Sequence, residues 1–185
     1  SEQLFATDDM AVAVKDSDIV LCVVPTKAVR EVAKQLADTL AQLNHQVILA
    51  HATKGLEQGT YKRISEMLSE EIPETYRSAL VVVSGPSHAE DVIKHDLTAV
   101  SIGGSDENTT KLLQRVLSNK TFRAYTNHDL LGSELFAALK NIVAIGSGAL
   151  VGLGYGANAQ AALLTRSLVE MRQLGLAMGA QEKTL

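Results

Sequence analysis

An α/β fold is predicted: a mostly parallel sheet, incomplete at its N-terminal side, followed by an all-helical part that is itself truncated. Three observations predict it. Over residues 1–127, short β-type runs alternate with helical segments, the pattern of strands joined by covering helices. The first run, Asp18 to Val24 (D-I-V-L-C-V-V), is almost continuously apolar and stops at Pro25, as expected of a strand buried on both faces. Beyond Asn127 strand candidates cease. Two long helical segments follow, 129–151 and 157–179, joined by the glycine-rich G-L-G-Y-G.

The elements follow in order. From Thr26 to Leu43 the apolar residues Val29, Val32, Ala33, Leu36, Leu40 and Leu43 recur at helical spacing and line one face. Gln46 to Ala50 is a strand, Tyr61 to Ser69 a helix and Ala79 to Ser84 a strand. Leu97 to Ile102 and Thr121 to Tyr125 are two more strands, flanking a helix from Asn108 to Ser118 that Ser105 or Asp106 can cap. This places a domain boundary near Asn127, with a dinucleotide-binding type of unit over 1–127 and the start of a helical unit over 128–185. The first unit is Rossmann-like, yet no G-x-G-x-x-G turn opens it, and Gly103-Gly104 lacks the pattern. Both ends of the chain therefore read as cuts in a longer protein.

Composition narrows the function. An apolar share of 46% and a charged share of 21% are those of an ordinary globular protein. A formal charge of −4 and the lack of any basic stripe argue against nucleic acid. No uninterrupted apolar run reaches the roughly 18 to 20 residues of a membrane span. The opening S-E-Q-L-F-A-T-D-D lacks the basic-then-apolar order of a signal peptide, so a cytoplasmic location is expected. Cys22, the single cysteine, reads as a small core residue. No histidines, cysteines or carboxylates have metal-ligand spacing, and no metal site is expected.

Polar and glycine residues cluster where the strands end, the side on which open α/β sheets bind ligands. In V-V-P-T-K-A (23–28), Thr26 suits a helix cap at least as well as a ligand contact. In A-H-A-T-K-G-L (50–56), Lys54 follows a strand and precedes Gly55; spacing alone favours solvated surface over ligand binding. In S-G-P-S-H-A-E (84–90), Gly85 permits close backbone approach. The N–H groups after Pro86, with Ser87, suit either an anion grip or an ordinary capped helix beginning near Pro86 or Ser87. His88 reads as a helix-end histidine rather than an acid or base.

The fourth feature is L-F-A-A-L-K-N-I-V-A-I, Leu135 to Ile145, whose only polar residues are Lys140 and Asn141. A helix apolar on nearly every side is expected to be buried. A buried ammonium is costly, and desolvation pulls its pKa toward neutrality, so Lys140 is expected to serve in proton transfer rather than to snorkel. Glu134, six residues earlier, lies on a different helix face and pairs with it only loosely.

Taken in order, V-P-T-K-A-V-R (24–30), T-K-G-L-E-Q-G-T (53–60), S-G-P-S-H-A-E-D-V (84–92), E-L-F-A-A-L-K-N-I-V-A-I (134–145), G-A-N-A-Q-A-A-L-L-T-R-S-L-V-E-M (156–171) and L-G-L-A-M-G-A (174–180) resemble the NAD(P)-dependent glycerol-3-phosphate dehydrogenase family in its bacterial form. The resemblance spans essentially the whole chain. It implies that Lys140 is the catalytic proton donor and acceptor, with Asn141 beside it in the substrate site. It implies that Lys54 contacts both cofactor and substrate, that Gly85 and Ser87 line the substrate site, and that Ala89 and Pro25 touch the cofactor. The implied reaction is reversible NAD(P)H-dependent reduction of dihydroxyacetone phosphate to sn-glycerol 3-phosphate for phospholipid synthesis. NAD and NADP stay open, and a homodimer is plausible from the apolar helical half.

Ala137 stands where the family has the glycine of G-A-L-K-N, a difference of one methyl group. The family's S-R-N cluster and an aspartate near the lysine fall beyond Leu185. A chain of these residues alone is therefore expected to bind dinucleotide poorly and to be nearly inactive. Two alternatives stand beside this reading: a 6-phosphogluconate dehydrogenase-like β-hydroxy acid enzyme, disfavoured by the adjacency of Lys140 and Asn141, and a non-catalytic fragment keeping only the scaffold.

Overall fold

The computed structural model describes residues 4–184. Five strands form one sheet in the order β1-β2-β3-β4-β5: Ile19–Cys22, Val47–His51, Arg77–Ser84, Thr98–Gly104 and Phe122–Asn127. β1, β2 and β3 are mutually parallel, and β4 is parallel to β5, but β3 and β4 run antiparallel. The connection over 85–97 explains the reversal. It contains only a one-turn helix, α4 (Ala89–Val92), too short to carry the chain back along the sheet for a parallel return. The mostly parallel expectation holds, with this one reversal.

The helices covering the sheet are α1 (Met10–Val14), α2 (Val29–Leu43), α3 (Ile64–Glu71) and α5 (Glu107–Leu117). α1 has no strong sequence signal; the Asp9 carboxylate accepts from the N–H groups of Ala11 and Val12 and starts it. α5 is capped by Asp106 rather than Ser105. Val29, Ala33, Leu36 and Leu40 of α2 are buried as their spacing requires. They join Ile64, Met67 and Leu68 of α3 against Cys22, Val47 and Leu49. On the opposite face, Ala50, Val81, Val83, Val100 and Ile102 pack with Leu113 of α5. Leu49 and Ala50 belong to different clusters because successive strand residues point to opposite faces. Each such aliphatic side chain contributes about 1.5–3 kcal/mol. Cys22 lies in this core, where burial pushes its thiol pKa up. β1 departs from expectation: it pairs only with β2, and Leu21 is 46% exposed, so this strand is not buried on both faces among the described residues.

α6 (Leu130–Gly152) and α7 (Ala157–Ala177) form an antiparallel pair after the sheet. Asp129 starts α6: one carboxylate oxygen accepts the Gly132 N–H at 2.8 Å. The other accepts the Gln181 N–H and the Thr184 hydroxyl, both at 2.7 Å, which ties the start of α6 to the chain beyond α7. The two helices touch where Gly175 admits the Phe136 ring; a Cβ at Gly175 would meet that ring at 2.5 Å.

The expectation of a buried Leu135–Ile145 segment is corrected. Gly132 to Leu135 and Ala137 are buried against the sheet, but Lys140 and Asn141 are exposed, as are Ile142 and Ile145. The reason is geometric: only the first turns of α6 lie on the sheet, and beyond them α7 covers one side. By length and composition α6 is also apolar enough to cross a membrane. Lys140 and Asn141 at its middle, and the packing of its first turns on β3 and β4, fit a domain helix instead.

Candidate functional site

The loops leaving β1 and β2 are joined into one rim. The Thr53 hydroxyl donates to the Val24 carbonyl at 2.7 Å and accepts from the Val24 N–H at 3.3 Å. The Thr26 hydroxyl donates to the Lys54 carbonyl at 3.0 Å. Thr26 therefore does not cap the helix that follows; it fixes the neighbouring loop. Gly55 has a φ of +121°, a conformation open to glycine, and a Cβ there would press on the Thr26 hydroxyl at 3.2 Å. The K-G dipeptide thus turns the chain sharply just after Lys54 while Lys54 itself is held on the rim.

Lys54 is partly buried, and its pKa lies below the ordinary lysine value. Burial is the larger cause and the Lys140 charge the second. Lys54, on the rim after β2, thus responds both to its partly buried setting and to the charge of Lys140 on α6.

At the end of β3, a cleft of about 290 Å³ is lined by Ser84, Gly85 and Pro86, by Ser101 of β4, and by Ala137 and Lys140 of α6. Gly85 is required by the sheet: a Cβ would lie 2.7 Å from the Ala99 carbonyl oxygen and 2.8 Å from the Val100 Cα. Ser87 and Ala89 are exposed and lie outside the lining, as do Asn141 and Pro25. The helix expected to start near Pro86 or Ser87 begins instead at Ala89 after His88, and the Ser87 hydroxyl turns back toward the Gly85 carbonyl at 3.5 Å.

Two groups of residues escaped sequence reasoning. Arg30 binds Glu57, Glu70 and Glu71, with Nε 2.5 Å from Glu57 and the Nη atoms 2.7 Å from Glu70 and Glu71. The Arg30 guanidinium, helped by the Thr60 hydroxyl, holds the Glu57 carboxyl down to about 2, and so braces the loop after Lys54. The second group is buried. Glu134 accepts from the Ser65 N–H at 2.7 Å, the Ser65 hydroxyl at 2.5 Å and Arg63 Nη1 at 2.9 Å, and its Oε1 lies 3.1 Å from His51 Nε2. Burial pushes the Glu134 pKa up, but His51 and the Ser65 donors outweigh it and the net direction is down. Partners 69 and 71 residues away leave no periodic trace in a sequence. The one available signal was a carboxylate set among buried apolar residues.

Residues 1–110 match the family model for the NAD-dependent glycerol-3-phosphate dehydrogenase N-terminus, and residues 129–185 that for its C-terminus. A glycerol-3-phosphate dehydrogenase [NAD(P)+] of Leuconostoc mesenteroides is 73% identical over 184 residues, covering 100% of this chain and 55% of the relative. One of Lactiplantibacillus plantarum is 52% identical, covering 100% and 54%. The chain thus spans about half the length of the curated relatives it matches. Among solved structures, a glycerol-3-phosphate dehydrogenase of Coxiella burnetii superposes with a TM-score of 0.85 at 34% identity, covering 96% of this chain and 52% of that one.

Proposed function

The chain belongs to the NAD-dependent glycerol-3-phosphate dehydrogenase family, and from that premise we propose that the protein reduces dihydroxyacetone phosphate reversibly to sn-glycerol 3-phosphate with NADH or NADPH. The observation that carries the reading is the cleft that Lys140 lines beside Gly85 and Ser101, with Lys54 on the neighbouring rim, where burial first and the Lys140 charge second lower its pKa. Two cations so placed oppose each other unless an anionic group comes between them. A phosphorylated ketone whose oxygen becomes an alkoxide is such a group.

The residues present fit the nicotinamide end of a dinucleotide. The rim that Thr26 and Thr53 join carries Pro25 on its exposed side and Lys54 beside it, at the carboxyl ends of parallel strands. Pro25, Lys54 and Ala89 would hold the cofactor there. When bound, the cofactor supplies the hydride. Lys54 would orient the substrate and offset its charge, with Gly85, Ser87 and Asn141 bounding the substrate site. Lys140, on the wall of the cleft, would stabilise the developing alkoxide oxygen through its ammonium and donate the proton. In the reverse direction its neutral amine would take the hydroxyl proton.

The same proposal divides the chain into a dinucleotide-binding part, 1–127, and a helical part from 128 onward, supported by family models that match 1–110 and 129–185. A cytoplasmic location, a homodimer and a role in phospholipid synthesis belong to the same proposal, the last of them through the family resemblance. No observation favours a β-hydroxy acid substrate. The test is initial-rate oxidation of NADH and NADPH by the full-length protein: dihydroxyacetone phosphate-dependent turnover is expected, and its absence with both cofactors contradicts the reading.

A further inference from the structure

We propose that Glu134 is a positioning residue: its carboxylate ties the base of the Lys140 helix to the strand that leads into the Lys54 loop, and so fixes the separation and aim of the two ammonium groups. The inference rests on the function proposed above for those lysines.

Glu134 is 6% exposed, Ser65 2% and His51 not at all, so the junction is sealed from solvent. An unpaired carboxylate there would be costly. Among the described residues its polar partners all come from other elements: Arg63 and Ser65 at the start of α3, and His51 at the end of β2. Short, charge-assisted bonds from several directions fix a group's orientation as well as its place. Among the described residues neither His51 ring nitrogen has a well-aligned hydrogen bond, and the Glu134 carboxylate lies 3.1 Å from its Nε2.

The path from this junction to the two lysines is short on both sides. His51 precedes Lys54 by three residues, and that segment is stiffened by Thr53 on Val24 and by Thr26 on the Lys54 carbonyl. Glu134 precedes Lys140 by six residues of continuous helix, about 9 Å along its axis. A rigid strand end and a rigid helix thus meet at one carboxylate, with the reacting groups one short lever away on each. Misplacement of such groups by about 1 Å can cost on the order of 100-fold in rate. Purely structural filling of this junction would be served as well by apolar side chains, which often replace buried ion pairs without loss of stability.

The charged groups involved are few. Lys54 faces Lys140. Glu134 faces His51 and Arg63, and Arg63 also reaches Glu66 at 3.2 Å. The test is Glu134→Gln in the full-length protein, which keeps the shape of the side chain and removes its charge. Two readouts are taken: the NMR titration of the Lys54 side chain, and kcat with dihydroxyacetone phosphate. With the tie loosened, the Lys140 charge moves away and the Lys54 titration shifts to higher pH; kcat falls about tenfold or more while the KM for NADPH stays within about twofold. A variant with only a lower Tm, its Lys54 titration and kcat unchanged, overturns the proposal. Should Glu134→Gln fail to fold, Ser65→Ala, which removes one donor to the carboxylate, is read by the same two outcomes. A wild-type protein without turnover contradicts the proposed function, while the Lys54 titration still decides the role of Glu134.

Discussion

A lysine's chemistry is set by what surrounds its ammonium, and Lys54 and Lys140 differ in this respect. Lys54 sits partly buried on the rim of the sheet, held by a backbone that Thr26 and Gly55 fix, and it carries the lowered pKa. Its ammonium is present below that lowered pKa and is lost as pH rises through it. Activity that depends on the Lys54 charge therefore declines on the alkaline side, at a pH below that of an ordinary lysine. Lys54→Arg keeps the charge throughout, so that alkaline decline should move to higher pH even if kcat is lower; a pH profile of kcat/KM checks it. An unmoved alkaline limb assigns the ionisation to another group. Lys140 was singled out by its sequence neighbours, and the structure keeps it at the cleft while removing the reason first given, since its side chain is exposed.

At the scale of elements, the ends of β2 and β3 and the first turns of α6 build the site. Gly85 shows how tightly β3 is matched to β4. Gly85→Ala would drive a methyl group into the Ala99 carbonyl oxygen and the Val100 Cα, both backbone atoms that cannot rotate away. It should cost roughly 1–3 kcal/mol in urea unfolding, the usual range for overpacking; an unchanged midpoint would show that the strand ends are free to part. Most elements were legible in the sequence because burial imposes a period. The α2 stripe and the central strands fell within a few residues of their observed bounds, and the helical pair after Asn127 stood out by its lack of strand candidates. The reversal of β4 was not legible, because direction is decided by how far the 85–97 connection can travel. The exposed half of α6 was misread for a related reason: its pattern states that the surface is apolar, not what lies against it.

At the scale of the molecule, function depends on how the sheet and the helical pair are held together. In the described residues Glu134 joins α6 to β2 and α3, while Asp129 joins the start of α6 to the chain after α7. Neither was legible beforehand. Sequence motifs recorded Gly85 and Lys140, which line the cleft, while the carboxylates that hold the parts in register gather partners from tens of residues away. The central claim is that this register brings Lys140 to a substrate oxygen opposite Lys54. Its most direct test is kcat for dihydroxyacetone phosphate reduction by full-length Lys140→Ala against wild type, with the fold verified by circular dichroism. A fall of at least about 100-fold is expected for loss of a general acid. Turnover within about twofold of wild type, on a folded protein, would contradict the account.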